Sequence, residues 1–207
     1  MMSHLEEVGA KIRGAFEAEN SAREVALRDC REVIRLASRT IRAVHRLELE
    51  IAIGLLIEAR SKTQSIRDLL RRHPQLYHAG YVHDSQKEFV EAAVMVAIVS
   101  GEQIPGPDLL EVENAAYLNG LAEAGSESRR YVLDRLRAGE VEEADRVLSI
   151  MDELYFELIT VDFPDAITGG LRRTTDAFRA VLERTRGDLT LTIQQRQLQA
   201  AIERMRI

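Results

Sequence analysis

Two pairs of glutamates carry the residue types and spacings best suited to chemistry. Glu88 and Glu91 lie three positions apart at the mouth of an apolar stretch, and Glu123 and Glu127 lie four apart among small residues. On a helix, residues at either spacing share a face, so each pair sets two like charges side by side. From Val90 to Val99 the chain reads VEAAVMVAIV, and Glu91 is its only charge. A lone carboxylate is costly to bury in such a run. A divalent cation is one remedy, because Mg²⁺ and Mn²⁺ take carboxylate oxygens as ligands; an arginine or a shared proton is another. Two such helices packed together predict a four-carboxylate site for one or two Mg²⁺ or Mn²⁺ ions, able to activate water for phosphodiester attack. Glutamates at helical spacing also commonly decorate a solvated face. Small residues around Glu123 (GLAEAGSE) leave room for a helix or a ligand, and Arg129 and Arg130 follow a turn or so later, in reach of a phosphate.

A second pattern lies upstream. Arg28, Arg31, Arg35, Arg39, Arg42 and Arg46 recur at spacings of three and four, which confines them to an arc of roughly 80° on a helix. Cys30, Ile34, Ala37, Ile41 and Val44 form an apolar arc nearly opposite. Like charges one turn apart cost a helix a few tenths of a kcal/mol, so the stripe points to an anionic counterpart such as a phosphate backbone. Neutralisation by neighbours such as Glu32, or plain solvation, accounts for it equally well. Lys11, Lys62 and Lys87 are the only lysines among 28 basic residues, a bias that fits guanidinium–phosphate recognition or genome composition. His78 and His83 flank the glycine of YHAGYVH just before the first acidic pair, either as substrate contacts or as exposed loop residues. His45, beside Arg46, reads as structural, and Cys30, Met95 and Met151 read as core. The chain has no Glu-x-x-His pair of the di-iron bundle type, no glycine-rich phosphate loop and no Ser/His/Asp arrangement.

The elements that must position these groups are helices. Ala, Leu, Glu and Arg dominate, tryptophan is absent, and the four prolines punctuate the chain. The pattern predicts helices over about 5–47, 51–72, 85–99, 109–138, 142–160 and 171 to the C-terminus, the last loosened at Gly187. His73-Pro74, Ser100-Gly101 and Gly139 act as stops. The expectation is an all-α fold: one domain over 1–207, an antiparallel bundle of about six or seven helices. With 45% hydrophobic and 30% charged residues the composition is that of a soluble globular protein. No apolar run is long enough to cross a membrane, and the acidic N-terminal stretch argues against a secretory signal. A single cysteine rules out an internal disulfide, so a cytoplasmic location is expected. A net charge of −6 gives no global attraction to nucleic acid, so any such binding needs a local basic surface.

Three segments together resemble the translin family, on its Trax side. KEFVEA (Lys87 to Ala92) is similar to the Glu-aromatic-Val-Glu-Ala segment of Trax. YLNGLAEAGSESRR (Tyr117 to Arg130) resembles the following translin/Trax stretch, and SRTIRAVHR (Ser38 to Arg46) resembles the family's first-helix run. RAGEVEEA supplies a similar glycine-containing turn. The resemblance spans about residues 20–207 and implies a seven-helix fold, assembly of copies into a closed shell, an octamer in known members, and RNA or single-stranded DNA held on a basic interior. It further implies that Glu88, Glu91, Glu123 and Glu127 bind a divalent ion, Mg²⁺ or Mn²⁺, and cut single-stranded RNA. On that reading Arg35, Arg39, Arg42 and Arg46 of the stripe, with His78, His83, Arg129 and Arg130, are the candidate nucleic-acid contacts. Glu123 stands where Trax has aspartate. Two other functions are compatible with the residues: a translin-like shell that binds without cutting, and an all-α nucleotide pyrophosphohydrolase similar to MazG. The latter pairs Glu-x-x-Glu with a Glu-x-x-Asp, whose only later counterpart here is Glu142 to Asp145.

Overall fold

The computed structural model describes residues 4–205. Among them the chain forms helices and connecting turns only: α1 (His4–His45), α2 (Leu49–Leu70), α3 (Pro74–Tyr77), α4 (Gly80–Ser100), α5 (Pro107–Leu110), α6 (Asn114–Ala138), α7 (Val141–Ile159), α8 (Asp165–Thr168) and α9 (Leu171–Met205). The expected all-α fold and the six long segments are present, α3, α5 and α8 being single turns between them. The last two residues of the predicted C-terminal helix lie outside the described residues.

Packing follows the apolar faces. α1 lies against α2 and α4, α4 against α6, and α6 against α7 and α9. From Phe89 to Ile98 α4 is buried all round except at Glu91, the mark of a helix at the centre of a bundle. Phe178 of α9 lies across Gly125 of α6, where a Cβ would fall 2.3 Å from the ring. Asn119, also on α6, donates to the carbonyls of Ala115 and Thr168 and accepts from the Thr174 hydroxyl, tying α8 and α9 to α6.

Three boundaries differ from the sequence expectation. α4 begins at Gly80 rather than 85, because the chain is helical straight after extended Ala79 and Val82 is buried as an anchor. The helix expected over 109–138 is two helices, interrupted at Glu111, whose φ of 57° is left-handed. The Glu111 carboxylate accepts hydrogen bonds from Gln64 and Arg67 of α2, fixing that turn in place. α9 runs through Gly187 without a break.

α1 and α9 are also longer than the body they pack on. Leu5, Val8, Ile12 and Phe16 near the start of α1 are exposed, as are Leu191, Leu198, Ile202 and Met205 towards the end of α9.

Candidate metal centre

The close approach of α4 to α6 builds the site. Gly120 of α6 sits so near α4 that a Cβ there would lie 2.6 Å from Val90 Cβ and 2.8 Å from the Lys87 carbonyl oxygen. Missing one side chain, the two helices touch, and the carboxylates one turn further along each converge. Glu88, Glu91 and Glu123 each offer an oxygen, and the three oxygens lie within 4.8 Å of one another. Lys87 reaches across from α4, its Nζ donating to Glu123 Oε1 at 2.8 Å. On the α1 side, the His45 ring, only 3% exposed, meets Glu127 with Nε2 2.6 Å from Oε1.

Electrostatics show what this gathering costs. Burial pushes the Glu91 carboxyl up to about 8, with Glu88, Glu123 and Glu127 adding to the shift and Lys87 opposing it. Burial likewise raises Glu88, against the pull of Lys87. For Lys87, burial favours the neutral amine, yet the hydrogen bond and charge of Glu123, with Glu88, prevail and raise its pKa. Three carboxylates sharing one ammonium form a site short of positive charge. The donor set is all oxygen, which fits a hard divalent ion such as Mg²⁺ or Mn²⁺, and Glu88, Glu91 and Glu123 are the residues that would hold it.

The other sequence candidates are placed as follows. Glu127 stands beside the three carboxylates, bound to His45 rather than within the tight group. Arg35, Arg39, Arg42 and Arg46 are exposed along α1, together with Arg28 and Arg31. Arg35 pairs with Glu32, while Arg42 and Arg46 form no ion pair among the described residues. Arg130 is exposed, near the angular position of Glu123 on the α6 wheel. Arg129 is turned to α9, where it bonds Asp188 at 2.8 Å and the Thr185 hydroxyl at 3.2 Å, so the structure does not bring it to the acidic cluster. His78 closes α3, and His83 belongs to the first turn of α4 rather than to a loop. The two histidines line one cleft with Tyr77, Gln86, Glu113 and Ile167, and His83 packs against Gly169. Neither joins the carboxylates. Glu142 and Asp145 are exposed near the start of α7 and are not part of the cluster.

Sequence reasoning missed two residues. His45 read as structural, although on the α1 wheel it falls about 40° from Arg31, at the edge of the arginine arc. Lys87 was visible only as part of KEFVEA, and nothing in its spacing points across to α6.

No family model matches the chain. It is 31% identical over 196 residues to an uncharacterized protein of Methanocaldococcus jannaschii, MJ0175, covering 91% of this chain and 84% of that protein. AfC3PO, solved alone and as a complex with duplex RNA, superposes with a TM-score of 0.84 at 32% identity, over 94% of this chain and 99% or more of its own. Apo-NeC3PO shares the fold at 18% identity with a TM-score of 0.79, over 93% of this chain and 98% of that one. An all-helical bundle with a carboxylate cluster between two touching helices is thus the class of protein defined here. The chain belongs to the translin/Trax family.

Proposed function

We propose that the chain is a metal-dependent endoribonuclease that binds RNA and cuts it at the carboxylate cluster between α4 and α6. The observation that carries this is the meeting of Glu88, Glu91 and Glu123 oxygens within 4.8 Å, in a place where burial pushes Glu91 up to about 8. A bound Mg²⁺ or Mn²⁺ would supply the missing positive charge and act as a Lewis acid toward water and phosphate. Glu88, Glu91 and Glu123 hold the ion, and Glu127, fixed by His45, completes the acidic wall toward α1. Arg42, just before His45 on α1, and Arg46, just after it in the following turn, flank that histidine, and with Arg35, Arg39 and Arg130 they hold the phosphate backbone. The RNA in the AfC3PO complex supports RNA as the ligand here, and single-stranded RNA is the proposed substrate. Copies associate into a homo-oligomer, an octamer by family resemblance. No helix among the described residues is long and apolar enough to cross a membrane, which accords with a cytoplasmic protein.

The test is cleavage of labelled single-stranded and duplex RNA by wild type, Glu91→Gln and Glu123→Gln, with Mg²⁺, Mn²⁺ or EDTA. Cleavage by wild type alone, abolished by EDTA, is expected; equal cleavage by all three, indifferent to chelator, refutes the proposal. A second function, RNA binding without cutting, is favoured by the Lys87–Glu123 ion pair, which already partly neutralises the cluster. It predicts salt-dependent binding that survives both substitutions, and no products under any metal.

A further inference from the structure

We propose that Lys87 competes with the divalent ion for Glu123: its ammonium holds that carboxylate when no ion is bound, and ion binding drives it toward the RNA phosphate. The inference rests on the metal-binding role assigned above. Lys87 Nζ lies 2.8 Å from Glu123 Oε1, and Glu123 is one of the three glutamates whose oxygens share a 4.8 Å cluster. An ion at that cluster and an ammonium on the same carboxylate stand a few ångströms apart and repel. Screening between them is weak, because the side chains of Lys87 and Glu123 are only 22% and 31% exposed.

Lys87 is the residue able to yield. Its charge is a compact ammonium on a flexible stem of four carbons, whereas His45, the other basic group against the acidic wall, is almost fully buried. Lys87 is drawn to Glu88 and Glu91 as well as to Glu123, and an ion held by all three carboxylates would replace that attraction with repulsion. Lysine binds phosphate as a point charge, and its stem starts on α4 beside the cluster, which places the freed head next to the bond to be cut. Lys87 is therefore a residue with two successive anionic partners, Glu123 before the ion arrives and phosphate afterwards.

The experiment titrates Mn²⁺ into full-length wild type, Lys87→Met, Lys87→Gln and Glu91→Gln by calorimetry without RNA, with melting curves to verify folding. It then measures affinity for a labelled single-stranded RNA at 4 °C, with gels to verify that the RNA stays intact, in Mn²⁺ and in EDTA. Both Lys87 variants should bind Mn²⁺ about twofold to fivefold more tightly, the scale of one ion pair. Their RNA affinity should match wild type in EDTA and fall severalfold below it in Mn²⁺. Unchanged or weakened Mn²⁺ binding in the Lys87 variants, or an RNA defect of equal size in EDTA, overturns the inference. If wild type takes up Mn²⁺ through Glu91 and only the Lys87 effect is missing, the metal site stands and the competitor role falls. If wild type binds no Mn²⁺ and Glu91→Gln changes nothing, both fall.

Discussion

Glu91 is the residue at which sequence and structure agree most closely. A single acid in VEAAVMVAIV signals an uncomfortable charge, and its carboxyl is indeed raised to about 8, first by burial and then by its acidic neighbours. The raised value sets the sign of a pH dependence. Unfolded, the group titrates near its ordinary 4.5; folded, it keeps its proton to about 8, so between these values the folded chain binds more protons. Stability in EDTA should therefore fall as pH rises from about 4.5 toward 8, by at most about 1.4 kcal/mol per pH unit for this group, with Glu88 adding in the same direction. Urea denaturation across that range checks it: Glu91→Gln should flatten the profile and be the more stable chain at pH 8. Parallel profiles would show that Glu91 ionises freely. His45 was less legible, because its role depends on Glu127, 82 positions away. Replacing it by alanine leaves that carboxylate without its donor and should cost about 1–3 kcal/mol, read from the same denaturation curves at pH 7.

At the level of elements, periodicity and stop signals sufficed wherever a helix is defined by its own residues. α2 ends before His73-Pro74, α4 at Gly101 and α6 at Gly139, as proline and left-handed glycine dictate. The failures arise where distant partners decide. The break at Glu111 depends on Gln64 and Arg67 of another helix, which no local pattern reports. The α4–α6 contact is likewise invisible in sequence beyond the run of small residues around Glu123. Gly120→Ala should force Val90 or the α4 backbone to move and cost about 1–3 kcal/mol. Gly54→Ala on α2, where an added Cβ meets nothing within 4 Å, should instead stabilise by about 0.5–1 kcal/mol. Thermal melts of the two variants side by side test the contrast. Opposite shifts are expected, and a harmless Gly120→Ala would mean that the two acid-bearing helices are not locked together.

For the whole molecule, the arginine stripe is the feature with the longest reach. Sequence showed its regularity but left open whether glutamates cancel it. In the structure Arg35 is engaged by Glu32, whereas Arg42 and Arg46 lie open. Each phosphate neutralised by such a residue releases a counterion. A plot of log affinity against log salt should therefore become shallower by about 0.7 for every arginine–phosphate pair removed on single-stranded RNA. Arg42→Ala and Arg46→Ala should each weaken binding uniformly across sequences and flatten that plot. Arg129→Ala, whose guanidinium is committed to Asp188, should leave the slope unchanged and lower stability instead. Fluorescence anisotropy at several salt concentrations distinguishes the two classes.

The overhanging ends of α1 and α9 would tie the protein's endurance to its abundance. Four apolar side chains on each overhang are exposed in a single copy, a surface that a second copy would shelter. If copies associate as proposed, mass action makes the melting temperature rise with protein concentration. On dilution, the outermost turns of both helices would be the first backbone to exchange with solvent.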